Sequence, residues 1–407
     1  MACTTAVISG KVTPDGRPLL WKNRDTRNGR HNEVAKITGG KYEAVAVVNA
    51  GQRGSVWMGV NEVGFCIENS LSRDLSTDED SSGPANGAFM RMALQRCKTV
   101  DDFRRLLEET NLSGRKTLAN FGVIDAHGGA ALFETGPKTY QLFDANDPVT
   151  APNGYIVRSN FSTTAQKVSA NPKKKSLEGL YSSERYLRAS GILEEVGNDH
   201  ITLREVVRHC CRDLSDDAGK PYSGSINGGQ GDLPESIITT NTISRTTTVS
   251  SVVFHGVKPG ENPKLTTMWT MLGDPSFSIA VPVFPIGQIA DSLADEQGGE
   301  IGEIAISLRD WHLTPDREGI YTAGMPGIWT DLWRVEDEII EATLEAKTKW
   351  SEKGLSLKEI EQHQGSVGQL AMDAMQLELI QAKQSALQLK APSPPQFSPS
   401  QASVSGY

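Results

Sequence analysis

Two stretches decide how this chain is read: Cys3-Thr4-Thr5-Ala6-Val7-Ile8-Ser9 and Leu19-Leu20-Trp21-Lys22-Asn23-Arg24-Asp25. Between them lies Thr13-Pro14-Asp15-Gly16-Arg17-Pro18, which is dense in turn-forming residues. Apolar run, turn, apolar run predicts a β-hairpin that returns the chain to its own beginning. Asp25 and the cations Lys22 and Arg24 then lie near Cys3. A thiol, a carboxylate and two positive charges are gathered at one end of one hairpin.

A cysteine at the first position of a mature chain has a base in its own α-amine. That amine titrates near about 7.7–8 and a thiol near about 8.5, so one residue supplies nucleophile and proton acceptor. Such a site also needs a carboxylate to orient the amine, a cation to favour the thiolate and amide donors for the oxyanion. Asp25 suits the first role, and Lys22 or Arg24 the second. Asn160 or Asn69, each at a strand end, suits the third. Taken singly, each is also an ordinary turn or strand-end residue.

The whole chain sets broader bounds. At 407 residues it can bury a large core in about one to three domains. Its 41 Lys+Arg against 50 Asp+Glu give a net charge of −9, which argues against nucleic acid and anionic membrane surfaces as partners. No apolar run approaches the length of a transmembrane helix. The cysteines are Cys3, Cys66, Cys97, Cys210 and Cys211, with no CxxC and only scattered histidines. No metal and no cofactor is therefore expected, and the four later thiols read as buried and inert.

Strand-like runs at Val45–Val48, Ser55–Val60, Phe65–Glu68, Asn120–Asp125, Gly129–Glu134 and Tyr155–Asn160 enclose two helical patterns, one over Gly87–Cys97 and one beginning at Thr99. Residues 176–214 are helical in pattern, a glycine-rich loop spans Ser223–Gly231, and strands return over Thr246–Phe254, Thr267–Leu272 and Ser278–Val283. Helices come in pairs rather than after every strand. That favours an α+β fold of antiparallel sheets with outer helices over a doubly wound parallel sheet. The expected domains are a catalytic domain over residues 3–285 and a helical C-terminal extension over 286–390. Residues 391–407 form a Pro/Ser-rich tail that reads as disordered. In the extension, Trp333, Val335, Ile339, Ile340 and Leu344 mark one apolar face, and Ile360, Val367, Leu370, Met372, Met375 and Leu377 a second.

Taken in order, these residues carry a family likeness. Cys3-Thr4-Thr5 and Leu20-Trp21-Lys22-Asn23-Arg24-Asp25 resemble the opening of N-terminal-nucleophile hydrolases of the choloylglycine hydrolase and penicillin acyltransferase group. Gly59-Val60-Asn61-Glu62-Val63-Gly64, followed by Glu68-Asn69-Ser70, is similar to that group's Gly-x-Asn-Glu-x-Gly hairpin and oxyanion loop. Arg158-Ser159-Asn160-Phe161 and Ser183-Glu184-Arg185-Tyr186-Leu187-Arg188 resemble its later asparagine and arginine segments. The resemblance implies an αββα sandwich and cleavage of a linear, non-peptide amide through an acyl-cysteine. It implies Cys3 as nucleophile and Asp25 as holder of the α-amine. Asn160 and Asn69 become the oxyanion hole, and Arg185 the cation behind the thiolate. The expected partner is a small amide: an N-acyl amino acid, an acyl amide or a conjugated bile salt. A homo-oligomer is compatible with the sequence.

Two departures accompany the likeness. Lys22 stands where the group often has arginine, with Arg24 close by. Met1-Ala2 precede Cys3, so its nitrogen is a peptide amide until they are removed by a leader peptidase or by self-cleavage. A bacterial periplasmic or secreted setting is expected, with a signal peptide absent from this sequence, and the cytoplasm is a compatible setting. Two other readings accompany this one. The acyl group is transferred to an amine rather than to water, or the chain is a lipoprotein anchored through Cys3. The second leaves Asp25, Asn160 and Arg185 without a role.

Overall fold

The computed structural model describes residues 2–76, 82–220 and 233–388. The Ser223–Gly231 loop and the 391–407 tail lie outside the described residues. Strands β1 (Ala2–Ile8) and β2 (Leu19–Asp25) form the expected hairpin, with Ala2 opposite Asp25, Cys3 opposite Arg24 and Thr5 opposite Lys22. Its loop is tight: a Cβ on Gly10 would sit 2.6 Å from the Gly16 carbonyl oxygen.

Seven strands then make one antiparallel meander: β3 (Asn32–Ile37), β4 (Ala44–Asn49), β5 (Met58–Asn61), β6 (Cys66–Leu71), β7 (Ala119–Ile124), β8 (Ala130–Thr135) and β9 (Tyr140–Asp144). Alternation divides its faces. Ala35, Ala46, Val48 and Ile67 pack under helices α1 (Asn86–Arg96) and α2 (Val100–Ser113), while Val34, Val45, Val47 and Cys66 turn toward the hairpin. The start of α2 is fixed by a capping box between Thr99 and Asp102.

The remaining strands are β10 (Tyr155–Arg158), β11 (Ser236–Ile238), β12 (Thr248–His255), β13 (Thr267–Leu272), β14 (Val281–Val283) and β15 (Gly319–Tyr321). A second antiparallel sheet has the order β10-β1-β2-β12-β13-β14, and β11 pairs with β15 in a small ribbon. The helices that follow β10 are two short turns, α3 (Thr163–Gln166) and α5 (Leu203–Glu205), and four longer ones: α4 (Ser183–Val196), α6 (Glu300–His312), α7 (Met325–Lys353) and α8 (Leu357–Gln388). The longer four pack against the second sheet. The result is an α+β sandwich, helix–sheet–sheet–helix. The two sheets approach closely at Gly122, where a Cβ would meet Glu68 Oε1 at 2.2 Å and Leu20 Cδ1 at 2.8 Å. Among the described residues no helix is long and apolar enough to cross a membrane.

Six elements, β3, β9, β11, β15, α3 and α6, are absent from the sequence reading. The apolar faces of the last two helices also needed correction: Leu344, Leu370 and Leu377 are exposed. In α7 the buried stripe runs through Glu336, Ile339, Ile340, Thr343, Lys347 and Trp350. From Glu336 to Trp350, polar residues hold three of the six buried positions, so hydropathy alone misplaces the face. Glu336 and Arg212 form a fully buried pair at 2.5 Å, and Glu336 also accepts the Ala280 amide at 2.8 Å. Removing one partner strands a buried charge, so Glu336→Ala is expected to cost about 3–5 kcal/mol. Chemical denaturation checks this against Glu338→Ala, whose carboxylate pairs on the surface with Arg334.

Candidate active site

The hairpin register decides what faces what. Successive side chains on a strand point to opposite faces. Cys3, Thr5, Lys22 and Arg24 therefore share the face toward the first sheet, while Thr4, Asn23 and Asp25 share the other.

The start of β1 is pinned from behind. Cys3 is 3% exposed; its nitrogen donates to Asn160 Oδ1 at 2.9 Å, and its carbonyl accepts from Arg185 Nη1. Arg185, in the first turn of α4, also donates to Thr4 Oγ1 at 2.9 Å and to Asn160 Oδ1 at 2.7 Å. A guanidinium has only donors, so the Asn160 oxygen must face it. The Asn160 nitrogen then turns away and donates to the Leu71 carbonyl at 2.8 Å. Asn160 is itself fixed by its own amide, which donates to Ser182 Oγ at 2.9 Å. Burial lowers the Arg185 pKa, partly offset by the charge of Asp25.

In front of the thiol is a cavity of about 250 Å³, lined by Cys3, Lys22, Arg24, Ser55, Trp57, Asn69, Leu71, Ala85, Asn86, Gly87 and Lys116. Lys22 Nζ donates to the Trp57 carbonyl and to Asn69 Oδ1, both at 2.8 Å. The Asn69 oxygen is thus committed to lysine, and its amide nitrogen is the end left to donate toward a bound group. Burial lowers the Lys22 pKa, and the charges of Cys3 and Glu68 oppose that shift. Arg24 lies 4.4 Å over the Trp57 ring and is held by Asn32 Oδ1 at 2.9 Å and Asn49 Oδ1 at 2.8 Å. Burial brings the Arg24 pKa down to about 10. Both candidate cations therefore belong to the cavity.

Asp25 sits apart from the thiol. It lies opposite Ala2, and its carboxylate accepts from Thr248 Oγ1 at 2.7 Å and from Arg245 Nη1 at 3.4 Å. The structure thus groups Cys3, Lys22, Arg24 and Asn69 around one cavity. It sets Asn160 and Arg185 behind the Cys3 backbone, and Asp25 beside the residue before Cys3.

Sequence reading missed Trp57, Asn32, Asn49 and Glu68. Trp57 sits in an apolar run, and the two asparagines come from strands whose polar ends gave no signal. Glu68 occupies an apolar-looking strand yet is fully buried between the sheets, where Thr5 Oγ1 donates to its Oε1 at 2.5 Å. Burial drives its pKa up to about 8, against the pull of Lys22. The four other cysteines are free and buried, as expected; burial pushes Cys97 and Cys211 up to about 12.

The sequence profile described as "Acyl-coenzyme A:6-aminopenicillanic acid acyl-transferase" matches residues 12–231, more than half of the chain. The chain belongs to this family. It is thereby placed within the penicillin acyltransferase group of N-terminal-nucleophile hydrolases. The match begins downstream of Cys3, so it covers β2, β6 and α4 but not the cysteine. Similar solved structures include a Caenorhabditis elegans N-acylethanolamine-hydrolyzing acid amidase ortholog, at 13% identity and TM-score 0.40, covering 62% of this chain and 92% of that one. A mutant conjugated bile acid hydrolase from Clostridium perfringens matches at 13% identity and TM-score 0.40, covering 67% and 89%. Penicillin V acylase from Agrobacterium tumefaciens matches at 13% identity and TM-score 0.38, covering 73% and 89%. A search of curated protein sequences found no match.

Glu68 gives a test of the site's electrostatics. Folded Glu68 holds its proton more tightly than in the unfolded chain. Its contribution to stability is present below about pH 4.5 and is lost as pH rises through about 8. Glu68→Gln is expected to flatten the decline in stability across that window. Urea denaturation at its two ends measures the difference between variant and wild type.

Proposed function

We propose that the protein cleaves a linear amide through Cys3 once Met1-Ala2 have been removed. The observation that carries this reading is the placement of Cys3: its side chain lines a cavity with Lys22, Arg24 and Asn69, while Asn160 and Arg185 clamp its backbone on the other side. In the mature chain, the Cys3 nitrogen becomes an α-amine already held by Asn160 Oδ1. That amine takes the thiol proton, and the thiolate attacks the amide carbonyl carbon. The Asn69 amide nitrogen is suited to donate to the resulting oxyanion, with Lys22 adding positive charge behind it. Asn160, whose nitrogen already serves Leu71, acts instead as the anchor of the nucleophile.

Collapse of the tetrahedral intermediate breaks the C–N bond. The α-ammonium returns its proton to the departing amine and leaves an acyl thioester on Cys3. Water, deprotonated by the α-amine, then releases a carboxylic acid and restores the thiol. An amine in place of water gives acyl transfer, the outcome that the family's name describes. Asp25 lies beside the position vacated by Ala2, in reach of a role in orienting the new terminus. The lipoprotein reading fits poorly: Cys3 is 3% exposed, with its side chain in the wall of the cavity rather than on the outer surface.

Cys3→Ala is expected to abolish cleavage of N-acyl amides while leaving the circular dichroism spectrum unchanged. Asn69→Ala is expected to lower kcat by roughly 10²–10³-fold with a smaller effect on KM. Steady-state kinetics on a fluorogenic N-acyl amide checks both. Turnover by Cys3→Ala at the wild-type rate refutes the mechanism.

A further inference from the structure

Two more cavities lie at the Asp25 end of the hairpin. One, of about 330 Å³, is lined by Asp25, Thr26, Arg27, Asn28, Arg73, Tyr181, Arg245 and Thr247. The other, of about 530 Å³, has five arginines in its wall (Arg27, Arg30, Arg245, Arg309 and Arg317) against two carboxylates, Asp316 and Glu318. The two share Thr26, Arg27, Arg245 and Thr247 and so form one cleft. The protein as a whole carries a net charge of −9, so this concentration of positive charge runs against its overall balance.

Arg245 stands where the two cavities meet. Its Nη1 reaches Asp25 at only 3.4 Å, and its Nε is buried without a hydrogen-bond partner. A buried donor left unsatisfied is costly, and an anionic oxygen is the strongest acceptor for a guanidinium. Arg27, on the exposed rim, makes no ion pair among the described residues. Arg309 and Arg30 share Asp310 at 3.0 and 2.9 Å, and Arg309 also donates to the Thr246 carbonyl at 2.9 Å, so both are fixed in place and one carboxylate answers two guanidinium groups.

The cleft flanks the site at the start of β1. Asp25, which lines it, is the partner of Ala2. Leu71 lines the thiol cavity and Arg73, two residues on, lines the cleft. An amide with its carbonyl at Cys3 would place its acyl half in the thiol cavity and direct its amine half past the vacated Ala2 position toward Arg245.

We propose that this arginine-lined cleft receives a carboxylate on the amine half of the substrate, so that the substrates are N-acyl amino acids rather than neutral acyl amides. The proposal rests on the reading of Cys3 as nucleophile, and its test separates the two. Binding of N-octanoylglycine and N-octanoylethanolamine to protein that begins at residue 3, with Cys3→Ser and every later residue retained, is measured by calorimetry at low ionic strength. The glycine conjugate is expected to bind at least roughly ten-fold more tightly, through a charge-assisted contact that the ethanolamide lacks. That preference is expected to shrink in high salt and to fall to within about two-fold on adding Arg245→Gln. Arg27→Gln, at an exposed position that does not threaten folding, is expected to reduce it in the same direction. Equal affinities, no binding of either compound, or a preference that survives both substitutions overturns the proposal. Cleavage by the protein with Cys3 intact reads the other claim. Selective binding with no cleavage of either amide would sink the catalytic reading and leave the cleft standing. Cleavage with equal affinity for both would do the reverse.

Discussion

Asn160 Oδ1 accepts from both the Cys3 nitrogen and Arg185 Nη2, and the start of β1 depends on that shared acceptor. Arg185 is fully buried, so each of its donors needs a partner that the fold supplies. Cys3 O, Thr4 Oγ1 and Asn160 Oδ1 take three of its five N–H donors. Moving the first residues of β1 would leave a buried guanidinium short of acceptors, a penalty well above that of an ordinary lost hydrogen bond. The cation behind the strand and the Cys3 backbone on it are held by one network. That network also dictates which end of Asn160 faces the chain start.

The second constraint is charge. Lys22 and Arg24 line the thiol cavity, Arg185 lies behind it, and Glu68 is the carboxylate buried beside Lys22 between the sheets. Burial pushes the charged forms of Lys22 and Glu68 toward neutrality, and each partly restores the other. A thiolate formed at Cys3 would meet two cations across a small, enclosed space, where their effect is stronger than in water. Strand alternation explains why these groups converge. Lys22 and Arg24 are two residues apart and share a face with Cys3; Asp25, one residue on, is turned to the other.

The hairpin was legible because two apolar runs flank a turn, and the sheet hydrogen bonds then fixed Ala2 opposite Asp25. The residue types that converge on Cys3 were legible from the same stretch. Their division between two faces was less so, since it follows from register rather than from identity. Trp57 and Glu68 were hidden for a related reason: each sits in a run that reads as core strand, and only the close approach of the two sheets at Gly122 makes Glu68 part of the site's electrostatics. In α7, Glu336, Thr343 and Lys347 take buried positions because Arg212, His363 and Thr267 answer them across the packing surface. Hydropathy has no access to such partners, which is why Leu344 was assigned to the wrong face.

The most direct test of the central claim is mass spectrometry of the natural mature protein, acid-quenched during turnover of an N-acyl amide. The account predicts an N-terminal peptide that begins at Cys3 and carries the acyl group as a thioester on that residue. Turnover by a chain that still begins at Met1 or Ala2, or an acyl group found on any other residue, would contradict it.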